Sequence, residues 1–266
     1  MKTIVITGST RGIGFGLAQQ FLERGCKVVV NGRSRASVDK AVAQLGSWRQ
    51  NLIGISADIT EESQVQTLWD SAAESFSSVD IWLNNAALNA ERSPTWELNG
   101  DELKAIINAS IIGTLNGCNV AIRGMLQQGY GHIYNFKGLG SGGEVMRGNL
   151  PYGLGKAGVA YIHKALLTDT KDLPIQLNTI SPGMVMTDLM QKSVNPNVIW
   201  ERRFLNILGD QVETVTPYLA KQILKHNGQD KDINWLPTSK LLWRFLKAPF
   251  TQRDLFVDSP VVISQS

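Results

Sequence analysis

The chain has 266 residues with 43% apolar residues, which suits one large α/β domain with a sizeable core better than two small ones. Its net charge of +3 is mild and argues against a dedicated nucleic-acid binder, and Cys26 and Cys118 have no metal-ligand spacing, so no metal site is predicted. No apolar run approaches the ~20 residues of a membrane span, and the first strand pattern starts at Thr3, so we expect a soluble cytoplasmic protein without a signal or transit peptide.

Apolar β-rich runs alternate with amphipathic helical stretches over the first two thirds of the chain. In chain order the predicted elements are strand Thr3–Ile6, helix Gly12–Arg24, strand Lys27–Asn31, helix Ser37–Leu45, strand Leu52–Ala57, helix Glu61–Phe76, strand Ile81–Asn84, helix Gly100–Gln127, strand Gly131–Phe136, helix Tyr152–Thr170 and strand Ile175–Ile180. Uninterrupted apolar strands are typical of sheets with helices on both faces. The alternation therefore predicts an α/β fold of the Rossmann type, with a doubly wound parallel sheet.

The regular alternation ends after Asp188. A loop followed by a helix is predicted over Met190–Asn206, and another helix over Glu213–Lys225. The segment Trp235–Phe250 mixes apolar and aromatic residues with three basic ones, and it has two interpretations. It is either a C-terminal helix packed on the core with its basic groups in solvent, or a surface that lies on a membrane or grips a large apolar ligand. We thus expect one domain over 1–266, with a Rossmann core over 1–188 and a substrate lid and helical C-terminal extension over 189–266.

The first strand is followed by a glycine-rich turn that opens the first helix. Such a turn brings backbone N–H groups against a pyrophosphate at a helix N-terminus, and its place in a βαβ unit strengthens the signal. The predicted cofactor-binding residues of the turn are Thr7, Gly8, Ser9, Thr10, Arg11, Gly12, Ile13 and Gly14.

The end of the second strand indicates which dinucleotide is bound. An NAD site usually has an acidic residue there, whereas this chain has Asn31, Gly32, Arg33 and Ser34. Arg33 can pair with a 2′-phosphate, with Arg11 flanking it, so the sequence favours NADP(H).

Polar and small residues also follow the third and fourth strands. Asp58 and Ile59 are predicted to bracket the adenine, and Asn85, Ala86 and Ala87 to lie beside the cofactor at the carboxyl edge of the sheet.

Tyr152 and Lys156 are four residues apart in the predicted helix, so their side chains rise from one face. A phenol with a pKa of about 10 is a poor proton donor or acceptor at neutral pH. A neighbouring ammonium is expected to lower that pKa towards the range of general acid–base catalysis.

Over roughly Lys2–Asp188 these motifs resemble the short-chain dehydrogenase/reductase family. The matching segments are TGSTRGIG at Thr7–Gly14, NNAA at Asn84–Ala87, YGLGK at Tyr152–Lys156 and SPG at Ser181–Gly183. The resemblance implies that Pro182, Gly183, Val185 and Thr187 border the nicotinamide. It also implies that Tyr152 protonates a carbonyl oxygen as hydride arrives, that Lys156 assists it and holds the nicotinamide ribose, and that Asn108 supports a proton relay. Family members commonly form dimers or tetramers, so a homo-oligomer is expected.

The family's catalytic serine is absent at its usual spacing, where this chain has Leu139 next to Gly138. Two alternatives remain at this point: Ser141 reaches the site as a catalytic residue, or backbone N–H groups with Lys137 stabilise the developing oxyanion.

The glycine-rich segment that lacks the family's usual serine, together with later segments, resembles the chlorophyll(ide) b reductases. The segments are YNFKGLGSGG at Tyr134–Gly143, YGLGK, SPGMVMTDLM at Ser181–Met190 and FLNILGD at Phe204–Asp210. This resemblance implies reduction of the 7-formyl group of chlorophyll(ide) b to a hydroxymethyl group by NADPH or another reductant, and thus a tetrapyrrole substrate. The pattern of residues 235–250 adds the expectation of a peripheral contact with a photosynthetic membrane through that segment. The alternatives are a small or quinone-like carbonyl substrate, or a non-catalytic NADP-binding sensor or scaffold.

Overall fold

A computed structural model of the chain describes residues 1–191, 194, 198–251 and 253–256. The strands within this part are β1 Thr3–Ile6, β2 Lys27–Gly32, β3 Leu52–Ser56, β4 Ile81–Asn84, β5 His132–Phe136, β6 Gln176–Ser181, β7 Met184–Met186, β8 Gly209–Gln211 and β9 Asp232–Asn234. The α-helices are α1 Gly12–Leu22, α2 Arg35–Gln44, α3 Glu62–Phe76, α4 Gly100–Ile107, α5 Gly113–Gln128, α6 Leu150–Asp169, α7 Asp188–Gln191, α8 Ile199–Leu208, α9 Val212–Lys225 and α10 Thr238–Lys247. Short 3₁₀ turns cover Gly46–Asn51, Thr95–Glu97 and Ala248–Phe250, and a π-helical turn covers Asn108–Ile112.

Seven strands form one parallel sheet in the order β3-β2-β1-β4-β5-β6-β9. The chain winds outwards in one direction from β1 to β3 and in the other from β4 to β6. The predicted doubly wound Rossmann-type sheet is confirmed. Such a sheet has a crevice at the carboxyl ends of its strands where the winding direction reverses, here between β1 and β4.

Two buried clusters cover the two faces of the sheet. On one face Ile4 and Val30 pack with α1 and α9, and on the other Val5 and Trp82 pack with α3 and α5. Alternate residues of each central strand thus enter opposite cores, which explains why these strands are apolar throughout.

The C-terminal part is built into the first core. In α1, an added Cβ at Gly16 would lie 2.5 Å from Val212 Cγ1 of α9, so the two helices approach at van der Waals distance. Val215 and Leu219 of α9 are fully buried in the same cluster as Ile4. Residues from both ends of the chain therefore form one core and one domain.

Three strands were missed by the sequence prediction. β9 extends the main sheet beyond β6, and β7 pairs with β8 in a separate parallel ribbon. Each has only three residues, so no alternating or apolar pattern is long enough to mark it.

The predicted helix Gly100–Gln127 is present but interrupted by the π-helical turn between α4 and α5. Contrary to expectation, the continuous helical stretch Gly100–Gln128 is long and apolar enough to cross a membrane by length and composition. In the structure, 56% of its most apolar window is buried, as in a core helix.

In the region predicted as a lid, a loop followed by a helix was expected over Met190–Asn206. The structure has α7 and then α8 there. Residues 192–193 and 195–197 of that prediction lie outside the described part. The interpretation of Trp235–Phe250 as a helix with solvated basic groups is wrong for two of its three cations. Lys240 and Arg244 of α10 turn inward, donating to the carbonyl oxygens of Trp235 (3.1 Å) and Leu208 (3.0 Å). Leu242, Trp243 and Leu246 of α10 are exposed instead.

Candidate active site

A crevice at the carboxyl edge of the sheet brings most of the predicted site residues together. Its larger part encloses about 780 Å³ between the turn after β1, the end of β2 and the loop after β4. A smaller pocket of about 120 Å³ shares Gly8, Arg11, Ala87 and Asp188 with it and contains Tyr152 and Lys156. One continuous crevice therefore runs from Arg33 at one end to the tyrosine at the other. The predicted residues that line it are Gly8, Thr10, Arg11, Gly12, Ile13, Gly14, Asn31, Arg33, Ser34, Asp58, Ile59, Asn85, Ala86, Ala87, Asn108, Tyr152, Lys156 and Thr187.

Thr7 and Ser9 lie behind the crevice and brace the turn after β1. The Thr7 hydroxyl donates to Leu83 O (3.2 Å) and accepts from the N–H groups of Asn85 (3.0 Å) and Ala86 (3.1 Å). The Ser9 hydroxyl donates to the carbonyl oxygen of Ile6 (2.7 Å). Both hydroxyls are buried and engaged, so these two residues shape the site rather than line it.

Two glycines of the turn are required by close approach. Gly8 has φ +62°, and a Cβ there would lie 2.7 Å from the Cα of Ala86. A Cβ on Gly14 would lie 2.6 Å from Nδ2 of Asn85. Glycine at these two positions therefore lets the loop after β4 pack directly against the turn that opens α1.

Asn31 ties three strands together beneath the crevice. Its Oδ1 accepts from the Gly8 N–H (3.3 Å), and its Nδ2 donates to the carbonyl oxygens of Ile55 (3.2 Å) and Ala57 (3.1 Å). The side chain is 1% exposed, so its contribution is to hold the crevice floor in place.

The β2 end of the crevice is cationic. Arg33 is exposed there, and within the described part of the chain no carboxylate lies within ion-pair distance of its guanidinium. Lys40 lines the same end, although the sequence analysis missed it; its position on the α2 face shared with Ser37 and Gln44 was a usable signal. Arg11 is exposed and lies 3.5 Å from Asp188. The β2 end of the crevice therefore presents two cationic side chains, Arg33 and Lys40.

Of the residues predicted for the adenine end and the nicotinamide end, some line the crevice and others lie behind it. Asp58 lines the crevice, but its Oδ1 accepts from the N–H and hydroxyl of Thr60 (2.9 and 2.8 Å). Of the four residues after β6, Thr187 lines the crevice, whereas Pro182 and Val185 are buried and Gly183 packs against Trp235. They form the wall behind the nicotinamide end.

Tyr152 and Lys156 lie one helical turn apart on α6 and both face the smaller pocket. Lys156 is 5% exposed, and its ammonium donates to the carbonyl oxygen of Phe136 (2.9 Å) and lies 5.7 Å from the centre of the Tyr152 ring. The end of β5 therefore holds the lysine beside the phenol.

Burial dominates the ionisation of this pair. It raises the pKa of Tyr152 to about 12 and lowers the pKa of Lys156 to about 8. The expectation that the lysine lowers the pKa of the tyrosine is wrong for the protein without its cofactor, because loss of solvation penalises the phenolate. A phenol of this kind is a protonated donor at neutral pH.

Gly138 occupies the space against the phenol. A Cβ on Gly138 would lie 2.6 Å from the Tyr152 hydroxyl oxygen, so a side chain at this position would contact the phenol directly. Leu139, at the spacing where the family has its serine, is 36% exposed.

The Ser141 hydroxyl is engaged by backbone groups. It donates to the Lys156 carbonyl oxygen (3.1 Å) and accepts from the Gly138 N–H (3.1 Å). The structure thus gives Ser141 a part in fixing the loop against α6, and it does not place the hydroxyl in the crevice.

The alternative oxyanion donors are also engaged. The N–H groups of Gly140 and Gly142 both donate to one oxygen of Glu144 (3.0 Å each), and these bonds, with the backbone N–H of Glu144 itself, lower the pKa of that carboxyl. Lys137 lines the crevice but pairs with Asp232 (3.0 Å). Tyr152 remains the free proton donor at this end.

Asn108 is the first residue of the π-helical turn, and it lines the crevice. The N–H of Gly113 bonds to its carbonyl oxygen, which is the wider spacing of a π turn. π turns are frequent at functional sites because they redirect one helical position. α6 packs closely on this turn, since a Cβ on Gly155 would lie 2.7 Å from the Cβ of Ser110.

The comparisons with known proteins agree with this geometry. The family model described as short chain dehydrogenase matches residues 2–197. A chain from a gluconate 5-dehydrogenase of Burkholderia cenocepacia, solved in complex with NADP and tartrate, superposes with a TM-score of 0.75 at 25% identity, covering 90% of this chain and 95% of that one.

Two curated relatives are plant proteins. The chain is 32% identical to the probable chlorophyll(ide) b reductase NYC1 of Arabidopsis thaliana over 259 residues, covering 91% of this chain and 52% of that protein. It is 34% identical to the chlorophyll(ide) b reductase NOL of Oryza sativa subsp. japonica over 227 residues, covering 83% and 66%. The chain thus spans about half the length of NYC1.

Proposed function

Because the chain belongs to the short-chain dehydrogenase family, we propose that it is an NADPH-dependent carbonyl reductase that converts the 7-formyl group of chlorophyll(ide) b to a hydroxymethyl group. The observation that carries the chemistry is the half-buried Tyr152 phenol beside the buried Lys156 at one end of the crevice. The substrate is supported by similarity to NYC1 and NOL, whose names state that activity.

The residues divide the reduction between them. NADPH, when bound, supplies the hydride that reaches the formyl carbon. Tyr152 would donate its proton to the carbonyl oxygen. The hydride brings two electrons and one hydrogen to the carbon, so this proton completes the hydroxymethyl group. Lys156, as an ammonium, stabilises the phenolate that remains, and solvent returns the proton through the Asn108 turn. Gly138 leaves room for the carbonyl oxygen against the phenol.

The preference for NADPH rests on the end of β2. Arg33 and Lys40 provide two cations, while the residues from Asn31 to Ser34 provide no carboxylate. A guanidinium binds a 2′-phosphate through charge-assisted hydrogen bonds that a ribose hydroxyl cannot match.

The elements that frame Tyr152 favour a large apolar substrate. Exposed apolar side chains occur on the loop after β5 (Val145, 95% exposed), on α6 (Leu154, 51%) and at the start of α8 (Ile199, 84%). The ion pair of Arg92 with Glu201 joins the loop after β4 to α8. A tetrapyrrole would cover such a surface, whereas a small ketone would leave it in water.

The substrate assignment is tested by incubating the purified protein with NADPH and either chlorophyll b or chlorophyllide b. We expect loss of the substrate's absorbance with stoichiometric NADPH oxidation, and no turnover by Tyr152→Phe, which should still bind NADPH. Turnover of a small aldehyde or quinone without turnover of either pigment would assign another carbonyl substrate. Unchanged turnover by Tyr152→Phe would show that the tyrosine is not the proton donor, and NADPH binding without any reductase activity would favour a sensor.

We also propose that α10 lies on an anionic membrane surface, which would place this protein in the cytoplasm and peripheral to a photosynthetic membrane. Its inward face is fixed through Lys240 and Arg244, and its outward face exposes Leu242 (58%), Trp243 (55%) and Leu246 (73%). Residues 233–251 contain no acidic residue. An outward face that is apolar and aromatic, with the exposed Lys247 beside it and no carboxylate, can bind the interface of anionic bilayers.

Vesicle sedimentation tests this contact. The double variant Trp243→Ser with Leu246→Ser should lose binding to phosphatidylcholine vesicles that contain an anionic lipid, whereas Trp96→Ser, which removes an exposed tryptophan elsewhere, should not. Equal sedimentation of all three proteins would exclude α10 as the contact.

A homo-oligomer, dimer or tetramer, is proposed through the outer faces of α5 and α6. Tyr161 (74% exposed) of α6 is a large apolar contact candidate on this surface. Light scattering of the protein and of Tyr161→Ser tests it: a monomeric mass for the parent protein would contradict the proposal.

A further inference from the structure

Asp210 is a buried carboxylate with three strong donors. It follows Gly209 in β8 and is 2% exposed. One oxygen accepts from the Trp235 indole N–H (2.7 Å) and from the Arg244 guanidinium (2.7 Å), and the other accepts from Arg253 (2.6 Å). Although burial by itself raises the pKa of this carboxyl, the bonds from Trp235, Arg253 and Arg244 lower it, so Asp210 is ionised at neutral pH.

All three donors come from the last part of the chain, beyond β9. Arg244 is on α10, and Arg253 is in the segment that follows it. Arg244 also donates to the carbonyl oxygen of Leu208, which strengthens the same junction. One side chain thus fastens the C-terminal extension to the rest of the domain.

The junction lies directly behind the nicotinamide end of the crevice. In the β7–β8 ribbon Asp210 pairs in register with Val185, two residues before the crevice residue Thr187. On the other side, the Trp235 ring packs on Gly183, where an added Cβ would lie 3.3 Å from its Cδ1. Asp210 therefore contacts both the back of segment 182–187 and the tryptophan that covers it.

The negative charge of Asp210 compensates the positive charges of Arg244 and Arg253. Two guanidiniums converge on one carboxylate, so removing its charge would leave two partly buried cations facing each other. Breaking a buried ion pair by removing one partner is strongly destabilising for the local arrangement. The extension would then shift at its anchor, next to segment 182–187.

We propose that Asp210 is a positioning residue: it locks the C-terminal extension against segment 182–187 and thereby fixes where the nicotinamide ring stands relative to Tyr152. The inference rests on the proposed function only in taking the hydride donor to be a nicotinamide. It assigns no direct contact of Asp210 with cofactor or substrate.

The test compares Asp210→Asn with the parent protein by two kinds of measurement. The dissociation constant for NADPH should change less than about threefold, because the contacts at the distant β2 end dominate the affinity. The fluorescence enhancement of the bound nicotinamide should fall. The turnover number should fall by about 10²-fold, because misplacement of a reacting group by about 1 Å has effects of that size. A primary deuterium isotope effect on turnover, with NADPH labelled at the transferred position, should rise as hydride transfer becomes limiting.

Two further variants separate positioning from folding. Asp210→Glu keeps the charge and should recover most of the fluorescence and turnover. Asp80→Asn removes a structural carboxylate at the far edge of the sheet, where Asp80 accepts from the Thr3 N–H (2.7 Å), and should leave the nicotinamide fluorescence unchanged.

The outcomes are distinguishable. If Asp210→Asn keeps the parent's fluorescence and turnover, or if it loses NADPH affinity and thermal stability in parallel with Asp80→Asn, the positioning role is overturned. If the parent protein reduces no chlorophyll(ide) b but Asp210→Asn still alters the bound-nicotinamide fluorescence, the proposed substrate fails while the positioning role stands.

Discussion

At the residue scale, the catalytic end of the crevice is defined by what burial does to two ionisable groups. The pKa of Tyr152 is raised to about 12 and that of Lys156 is lowered to about 8, both by loss of solvation. The phenol is therefore fixed as a proton donor, and the lysine is the group that titrates near neutral pH. Gly138, rather than a serine, faces the phenol oxygen.

The lysine predicts how reduction depends on pH. Tyr152 stays protonated well above neutrality, but Lys156 loses its proton as the pH rises through about 8. We expect kcat/KM for carbonyl reduction to be level near pH 7 and to fall above pH of about 8, since this profile reports groups of the free enzyme. A profile that stays level to pH 10 would show that the charge on Lys156 is not required.

Arg33 predicts the coenzyme preference. In Arg33→Gln the dissociation constant for NADPH should rise about tenfold or more, because a hydrogen bond to a charged group contributes about 1.5–3 kcal/mol. The constant for NADH should not change, and fluorescence titration measures both. The control is Arg35→Gln at the start of α2, two residues further along the chain, whose guanidinium pairs with Asp39 (2.8 Å) outside the crevice. An equal loss of affinity for both coenzymes would contradict a phosphate contact.

At the scale of elements, the site depends on how α6 packs on the π-helical turn. α6 carries Tyr152 and Lys156, and the turn carries Asn108. Two glycines of α6 permit the contact: added Cβ atoms would lie 2.7 Å from Ser110 Cβ at Gly155 and 2.8 Å from Ile111 at Gly158. The relative position of the proton donor and the turn is therefore set by residues without side chains.

The substitution Gly155→Ala tests this contact. The new methyl group should force the helix and the turn apart, lowering the free energy of unfolding by about 1–3 kcal/mol as overpacking does, and lowering turnover as well. Gly153→Ala on the same helix is the control, since its Cβ would meet no atom within 4 Å. Urea denaturation and steady-state kinetics give the two values, and equal behaviour of the two variants would show that the packing is loose.

At the scale of the whole molecule, the two ends of the chain share one core. α9 packs on α1, and β9 completes the main sheet next to β6. Asp210 of β8 then fastens the segment beyond β9 to this core. The separation of a core over 1–188 from a lid and extension over 189–266 remains a prediction about function rather than about folding units.

A single core predicts a single unfolding transition. Leu219→Ala in α9 removes a fully buried side chain and should lower the free energy of unfolding by about 2–5 kcal/mol while the transition stays cooperative. Leu246→Ala, at a side chain 73% exposed, should change it by less than about 0.5 kcal/mol. Two separate transitions in either variant would indicate that the C-terminal part unfolds independently.

Sequence patterns predicted most of the sheet because strands buried on both faces are apolar throughout, as Val28–Val30 is. They failed for β7, β8 and β9, which are too short to show any period. Within the site, residues that line the crevice were found from local motifs, because turns such as Thr7–Gly14 have a chemistry of their own. Lys40 was missed because it belongs to no motif and enters the crevice only through the helical repeat of α2.

The sequence by itself determined the fold class, the dinucleotide crevice and the pair Tyr152–Lys156, since each depends on local periodicity or on a fixed spacing within one element. Only the tertiary structure decided that Gly138 faces the phenol while the Ser141 hydroxyl bonds to backbone groups, that burial raises the pKa of Tyr152, and that α10 turns its basic face inward to Asp210. These properties depend on distances between segments far apart in the chain and on the water that folding removes, and no local pattern encodes either.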